Sequence, residues 1–425
     1  MNGFQFIHAA DLHLGSPFKG LRSLDKTLGR LLAEATFSAW DNIVRECLSR
    51  NVDFLLVAGD VFDEANRGLR AQLAFRDGLS RLAEAGIPSF VVHGNHDPLS
   101  GWSASLEWPG RVKIFGSEPE AASFSREGET LAHIVGASHP RSVVRENIAA
   151  KFKRPMDSPF CIGLVHANVG TNTGHEPYAP CTMEDLEKSG MDYWALGHVH
   201  TRAVLREKNP AVVYPGNSQG LHINEPGAHG VYLVSVSGSD IEKLEFIPTD
   251  LVRWRNLKDA DSVDISNLDT YDAVLEKLGE VVEDLLKEGE GRGMIARIAL
   301  SGRTSLHRDI ASEYIEEWVR GLRDEYGSSE PFFWVDRIVD NTRFPVDLDQ
   351  RREAGDFIGD LLKLTLEMKT DAEKRTLLIG ECTGDLYGSS LWPREIGPLD
   401  ADQSLSLVQG VENLLLDELL PEDEI

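Results

Sequence analysis

Three apolar runs near the start of the chain each stop at a carboxylate or an imidazole, and this repetition constrains the fold more than any other feature. Phe4 to Ala10 runs into Asp11-Leu12-His13, Asp53 to Ala58 into Gly59-Asp60-Val61-Phe62-Asp63, and Ile87 to His93 into Gly94-Asn95-His96-Asp97. Between them the apolar spacing predicts helices from Leu28 to Arg50 and from Leu69 to Ala85, the second closed by Gly86. This β-α-β-α-β alternation implies parallel strands joined by helical crossovers. Phe54 to Ala58 is apolar at every position, as expected of a strand covered on both faces. Ligands of open α/β sheets bind beyond the carboxyl ends of the strands. A lone Asp-x-His is more often a polar strand end than a ligand pair. Clusters at the ends of three consecutive strands point to one shared site.

The pattern continues downstream. Thr130 to Gly136 and Phe160 to Val165 read as strands, and His166 follows the latter directly. Tyr193 to Leu196 leads into Gly197-His198-Val199-His200, where two imidazoles two residues apart repeat the geometry of Asp11 and His13. Met183 to Ser189 is expected as a short helix, and Ala211 to Tyr214 and Gly230 to Val236 as strands on either side of the turn-rich Pro215 to Gly220. The fold expected is α/β: a two-sheet sandwich flanked by helices over residues 1–250. A smaller α+β domain is expected over 258–345, from a helix at Tyr271 to Lys287, a strand at Met294 to Leu300, a helix at Arg308 to Tyr326 and a strand at Pro331 to Val339. A helical acidic segment, 346–425, follows, with helices expected from Asp349 to Met368 and from Leu405 to Leu420.

The acidity is uneven. Residues 1–257 hold 25 Lys+Arg against 30 Asp+Glu, whereas residues 258–425 hold 18 against 39, most of the formal charge of −26. So negative a C-terminal part repels phosphate backbones at long range, which argues against a large nucleic-acid surface there unless a partner supplies it. The four cysteines show neither paired metal spacing nor disulfide density, which fits a reducing cytoplasm. The first ten residues lack a basic stretch followed by a long apolar run, so no signal peptide is expected, and no run has the length of a membrane span.

Asp11, His13, Asp60, Asn95, His166, His198 and His200 are the candidate metal ligands: three oxygen donors, four imidazoles and no thiolate. This set suits Mn, Fe, Co or Zn better than Ca or an all-oxygen Mg site. Two ions sharing the Asp60 carboxylate would clamp the attacking and leaving oxygens of an in-line displacement, with a bridging hydroxide as nucleophile. His96 is the candidate to protonate the leaving oxygen, with Asp97 holding its imidazole in the useful tautomer. Asp63 is a candidate carboxylate behind the ligands, a turn residue being an equal reading. Arg202 and Trp102 are candidate substrate contacts, Arg202 beside Arg206 and Lys208, and Trp102, like Trp108, with a ring suited to stacking on an unpaired base or to packing. Arg141, Arg145, Lys151, Lys153 and Arg154 read first as a solvated helix face.

The ordered set Asp11-x-His13, Gly59-Asp60-x-x-Asp63, Gly94-Asn95-His96-Asp97, His166 and Gly197-His198-x-His200 resembles the calcineurin-like metallophosphoesterases. With Pro215-Gly216-Asn217-Ser218-Gln219-Gly220 added, the resemblance is to the SbcD-type DNA repair nucleases and most of all to their YhaO-like branch. It covers residues 1 to about 250; Met294 to Val339 is weakly similar to the family's capping domain. The resemblance implies one ion held by Asp11, His13, Asp60 and His200 and another by Asp60, Asn95, His166 and His198. It also implies manganese as the metal, His96 as the catalytic histidine, DNA exonuclease or endonuclease activity, and an SMC-like coiled-coil ATPase on a separate chain. The sequence has no Gly-x-x-x-x-Gly-Lys-Ser/Thr loop of its own. The stripe Leu405, Val408, Val411, Leu415 and Leu419 would suit docking on such an ATPase or a homodimer, with packing on its own domain favoured by base rate. A cyclic-nucleotide or small-molecule phosphodiesterase of the same superfamily is the alternative expectation, and a non-catalytic scaffold of a repair complex the second. The extension of about 170 residues beyond the catalytic part favours the nuclease.

Overall fold

The computed structural model describes residues 3–19, 26–63, 68–101, 106–170, 178–310, 314–387 and 399–419. The chain divides into two compact units. The first comprises Met1–Asn256, Glu283–Arg297 and Arg323–Asp336, the second Leu257–Val282, Ile298–Leu322 and Arg337–Ile425.

Two mixed six-stranded sheets build the first unit. Its opening elements are β1 (Gly3–Ala9), α1 (Lys26–Ser49), β2 (Phe54–Ala58), α2 (Leu69–Glu84), β3 (Ser89–Val92) and β4 (Val112–Ile114). Next come β5 (Glu120–Arg126), β6 (Glu129–Ala137), β7 (Cys161–His166), α3 (Met183–Lys188), β8 (Tyr193–Gly197), β9 (Ala203–Arg206), β10 (Ala211–Tyr214), β11 (Gly230–Ser237) and β12 (Asp240–Pro248). The first sheet runs β12-β11-β1-β2-β3-β4 and the second β5-β6-β7-β8-β10-β9. β1, β2, β3 and β4 are parallel, as are β6, β7, β8 and β10, while β11, β12, β5 and β9 join antiparallel. The expected α/β two-sheet sandwich is therefore the observed architecture.

Period-two alternation divides the side chains among three cores. Phe6, Phe54, Leu56 and Val92 meet Ile134, Phe160, Ile162, Leu164, Tyr193 and Val213 between the sheets. The rings of Phe6 and Phe54 stack at 4.9 Å between centroids. Ile7, Leu55, Val57 and Val91 face the other way, onto Trp40, Val44, Phe75 and Leu79 of α1 and α2. Val165, Trp194 and Leu196 cover the outer face of the second sheet with Ile148, Phe152 and Leu186. Burying each such large apolar side chain contributes about 1.5–3 kcal/mol relative to leaving it in water. Together these cores hold the carboxyl ends of β1, β2, β3, β7 and β8 on one rim.

One inward position on β1 is polar. His8 is fully buried, and its Nδ1 lies 2.9 Å from the Tyr193 hydroxyl. Burial lowers its pKa to about 3. Below the unfolded value near 6.5 the unfolded chain takes up a proton that the folded chain refuses, so the contribution of this group is intact above pH 6.5 and is lost as pH falls toward 3. The slope is about 1.4 kcal/mol per pH unit. His8→Gln is expected to remove it, which denaturant midpoints at pH 7 and pH 5 measure. Equal pH dependence in both proteins would contradict this account.

In the second unit two sequence expectations change. The helix expected from Asp349 to Met368 is two, Leu348–Arg352 and Phe357–Thr370, because the Asp356 carboxylate accepts from Gly359 N and starts the second afresh. Of the helix expected from Arg308 to Tyr326, His307–Asp309 and Ile315–Tyr326 are helical, and residues 311–313 lie outside the described residues. The helix Ala401–Leu419 buries Ser404, Val408, Glu412 and Leu416, while Leu405, Val411 and Leu419 of the expected stripe are exposed. Glu412 turns that face inward by accepting from Thr365 and Lys369 of Phe357–Thr370. No described helix is long and apolar enough to cross a membrane.

Candidate metal centre

The ligands stand where strands end and where the backbone adopts conformations that ordinary residues avoid. Asp11, His13 and Asp60 have φ of 49°, 43° and 49°, and His198 has 104°. Left-handed backbone costs a non-glycine residue about 1–2 kcal/mol, and its clustering at one rim marks a functional site. The loops after β1 and β2 hold these residues by running side by side: Asp11 N donates to Gly59 O at 3.1 Å, His13 N to Asp60 O at 3.1 Å and Leu14 N to Val61 O at 2.9 Å.

All seven candidate ligands converge. His13 Nε2 and His200 Nε2 are 3.1 Å apart, and these two residues group with Asp11. Asp60 Oδ2 lies 3.2 Å from His166 Nε2 and 3.9 Å from His13 Nε2. Asn95 Oδ1 lies 3.0 Å from His166 Nε2 and 3.2 Å from His198 Nδ1. Asp11 also approaches His166, but only through Nδ1 at 3.9 Å, and that nitrogen donates to Ala58 O at 2.9 Å. Asp60 thus reaches imidazoles of both nests, and Asp11 groups with His13 and His200 and also with Asp60 and His166. Asp11 is fixed from behind, accepting from His198 N at 3.1 Å on both oxygens.

Two glycines make this packing feasible. A Cβ on Gly94 would sit 2.3 Å from Asp60 Oδ1 and 2.8 Å from the His166 ring, and one on Gly197 would sit 1.9 Å from Ala58 O. The glycine before Asn95 and the one before His198 therefore exist for close approach.

Electrostatics suits cations. Burial raises the Asp11 carboxyl to about 6 and lowers the His13 imidazole to about 4, keeping that ring neutral, as a ligand must be. Burial opposes ionisation of Asp60 too, yet His166, His13 and His96 beside it hold it well below the usual carboxylate range. Lone pairs of carboxylates and imidazoles brought this close in a buried pocket repel one another unless positive charge lies among them, so the residues present fit a dinuclear centre.

His96 stands beside the centre with a side chain 44% exposed, its ring 5.2 Å from that of His13. Here one expectation is corrected. The carboxylate that holds His96 is Asp63, whose Oδ1 lies 3.3 Å from His96 Nδ1 and whose Oδ2 accepts from Ser16 Oγ at 3.1 Å. Asp97 is fully buried and turned back under its own loop, accepting from Gly94 N at 2.7 Å and Val61 N at 2.9 Å and pairing with His93 Nδ1 at 3.0 Å. Sequence adjacency suggested Asp97, but the sharp turn after β3 points its side chain away from His96. The hydrogen bond to Asp63 raises the pKa of His96 and brings Asp63 down to about 2.

Arg202 is placed with its guanidinium over the Phe246 ring, 4.1 Å from the centroid. Trp102 lies outside the described residues, and Trp108 packs edge-on against Phe75. Of the basic group near residue 150 only Lys151 lies in a helical turn, Ala149–Lys151; Arg141, Arg145, Lys151 and Lys153 are exposed, Lys151 pairing with Glu118 and Glu146, and Arg154 pairs with Asp192. Two neighbours of the centre carried no motif signal. Tyr178 meets His198 edge-on, with 5.7 Å between ring centroids, and Glu225 meets His200.

Residues 4–202 match the family described as calcineurin-like phosphoesterase, and residues 259–343 match the middle domain of metallophosphoesterase YhaO. Metallophosphoesterase YhaO of Bacillus subtilis is 40% identical to this chain over 345 residues, 81% of this chain and 83% of that protein. The DNA double-strand break repair protein Mre11 of Methanopyrus kandleri is 26% identical over 73% of this chain and 68% of its own length. That of Sulfurisphaera tokodaii is 27% identical over 59% of this chain and 64% of its own length.

Proposed function

The chain belongs to the calcineurin-like phosphoesterase family, and from that premise we propose that this metallophosphoesterase is a manganese-dependent nuclease that hydrolyses DNA phosphodiester bonds in DNA repair. The carrying observation is the convergence of the seven candidate ligands at one rim: Asp11 groups with His13 and His200 and also with Asp60 and His166, Asp60 lies 3.9 Å from His13, and Asn95 lies between His166 and His198. Asp11, His13, Asp60 and His200 would hold one ion and Asp60, Asn95, His166 and His198 the other. Two divalent ions held there would activate a water at neutral pH and offset charge on the phosphoryl oxygens. The chain's own residues do the rest. The strained loops and backing hydrogen bonds hold the ligands without reorganisation. His96 is held by Asp63 through Nδ1, which leaves Nε2 free to protonate the departing alkoxide.

DNA as substrate is supported by the similarity to proteins named for double-strand break repair. An SMC-like coiled-coil ATPase on a separate chain is the proposed partner, in line with the missing phosphate-binding loop. Free, buried Cys47, Cys161 and Cys181 support a cytoplasmic setting. The test is to give the purified full chain single- and double-stranded DNA, bis-p-nitrophenyl phosphate and cyclic nucleotides with Mn2+ and, separately, with excess chelator. Metal-dependent DNA cleavage that exceeds turnover of cyclic nucleotides is expected. Turnover of cyclic nucleotides with intact DNA would overturn the nuclease reading.

A further inference from the structure

The loop between β10 and β11 carries a carboxylate aimed at the centre from behind. Glu225 is 8% exposed, and its Oε1 lies 2.6 Å from His200 Nδ1. The same carboxylate is held on its other side. Oε2 accepts from Leu221 N at 2.7 Å and from Asn217 Nδ2 at 3.1 Å, and His222 Nε2 stands 3.2 Å from Oε1. The backbone of the loop closes around it: Glu225 N donates to His222 O at 2.9 Å, the His229 ring lies 3.1 Å from Glu225 O, and Asn217 N donates to His200 O at 3.2 Å. Glu225 thus reaches the rim prepositioned, and of the two rings at its Oε1, His200 at 2.6 Å and His222 at 3.2 Å, the nearer belongs to the centre.

We propose that Glu225 is a positioning residue for the metal centre: it accepts the His200 Nδ1 proton, fixes the ring's tautomer and orientation, and so presents the Nε2 lone pair to the ion shared with Asp11 and His13. The physical reason is that a neutral imidazole has one proton for two nitrogens. Whichever nitrogen meets a strong fixed acceptor keeps it, and the other becomes the ligand. A carboxylate behind a ligating imidazole also makes it a better donor, and removing such a partner typically lowers metal affinity about 10–100-fold. His166 has a weaker counterpart in the Ala58 carbonyl, so the two nests differ in how their imidazoles are backed.

The inference rests on the metal centre proposed above, and the experiment separates the two. Mn2+ is titrated into metal-free full-length wild type, Glu225→Gln and Glu225→Ala by calorimetry, with thermal midpoints of the metal-free proteins recorded alongside. Ring-nitrogen NMR of 15N-histidine-labelled protein reads the tautomer. Wild type is expected to bind two ions. Glu225→Ala is expected to weaken one of the two sites about 10–100-fold and leave the other within twofold. Glu225→Gln, whose amide oxygen still accepts from Nδ1 without the charge, should fall between and keep the His200 tautomer. If Glu225→Ala does not fold, Glu225→Gln decides alone, through a loss of threefold or more at one site with an unchanged midpoint. Folded variants that bind both ions within twofold of wild type, with His200 in the same tautomer, would overturn the role of Glu225 and leave the centre standing. A wild type that binds no Mn2+ would overturn the centre itself.

Discussion

Asp60→Ala is expected to abolish binding of both metal ions and to lower phosphodiesterase activity by on the order of 10³-fold or more, as measured by metal content and by hydrolysis of bis-p-nitrophenyl phosphate. Its carboxylate reaches imidazoles assigned to both ions: Oδ2 lies 3.2 Å from His166 Nε2 and 3.9 Å from His13 Nε2, while Oδ1 accepts from His96 N at 2.9 Å. Losing the carboxylate therefore removes a ligand from each ion and the acceptor that fixes the His96 loop. Alanine also tolerates φ of 49° poorly, at a cost of about 1–2 kcal/mol. Asp60→Asn separates the effects, because asparagine adopts left-handed backbone readily and keeps the shape without the charge. The asparagine variant should fold like wild type and still bind metal weakly. Two tightly held ions in Asp60→Asn would mean that the carboxylate is not shared.

His96→Ala is expected to do the opposite: keep both ions and lose about 10²–10⁴-fold in kcat on DNA, with KM little changed. The ring is not part of either nest, and Asp63 holds it from behind through Nδ1. The choice of substrate makes the role visible. A DNA alkoxide leaves poorly unless protonated, whereas p-nitrophenolate departs without help, so the deficit should be much smaller on bis-p-nitrophenyl phosphate than on DNA. Asp63→Asn should shift kcat in the same direction by less, because an amide still accepts from Nδ1. Full activity of His96→Ala on DNA, or an equal deficit on both substrates, would remove His96 from the proton-transfer role.

The centre was largely legible in the chain. Asp11 and His13, and His198 and His200, stand two apart just past strand ends, and Asp60 and Asn95 each follow a glycine at such an end. Period-two spacing places side chains on one face whatever else the chain does, and a strand's apolar pattern locates its end. What the pattern did not carry was the direction in which the short side chains of the turns point. Asp97 sits next to His96 in sequence but folds back to Gly94 N and Val61 N, and Asp63, thirty-three positions earlier, takes the imidazole instead. The helix Ala401–Leu419 was legible as a helix, but Glu412 set the face it buries.

The amino-acid order alone determined the five strands whose ends carry metal-capable side chains, the helices between the first three, and the chemical class of the donors. These follow from local spacing and residue type. Only the tertiary structure decided which acid holds His96, and that a glutamate from the loop after β10 backs His200. Those pairings depend on how loops far apart in the chain approach within hydrogen-bonding distance, which local periodicity does not encode.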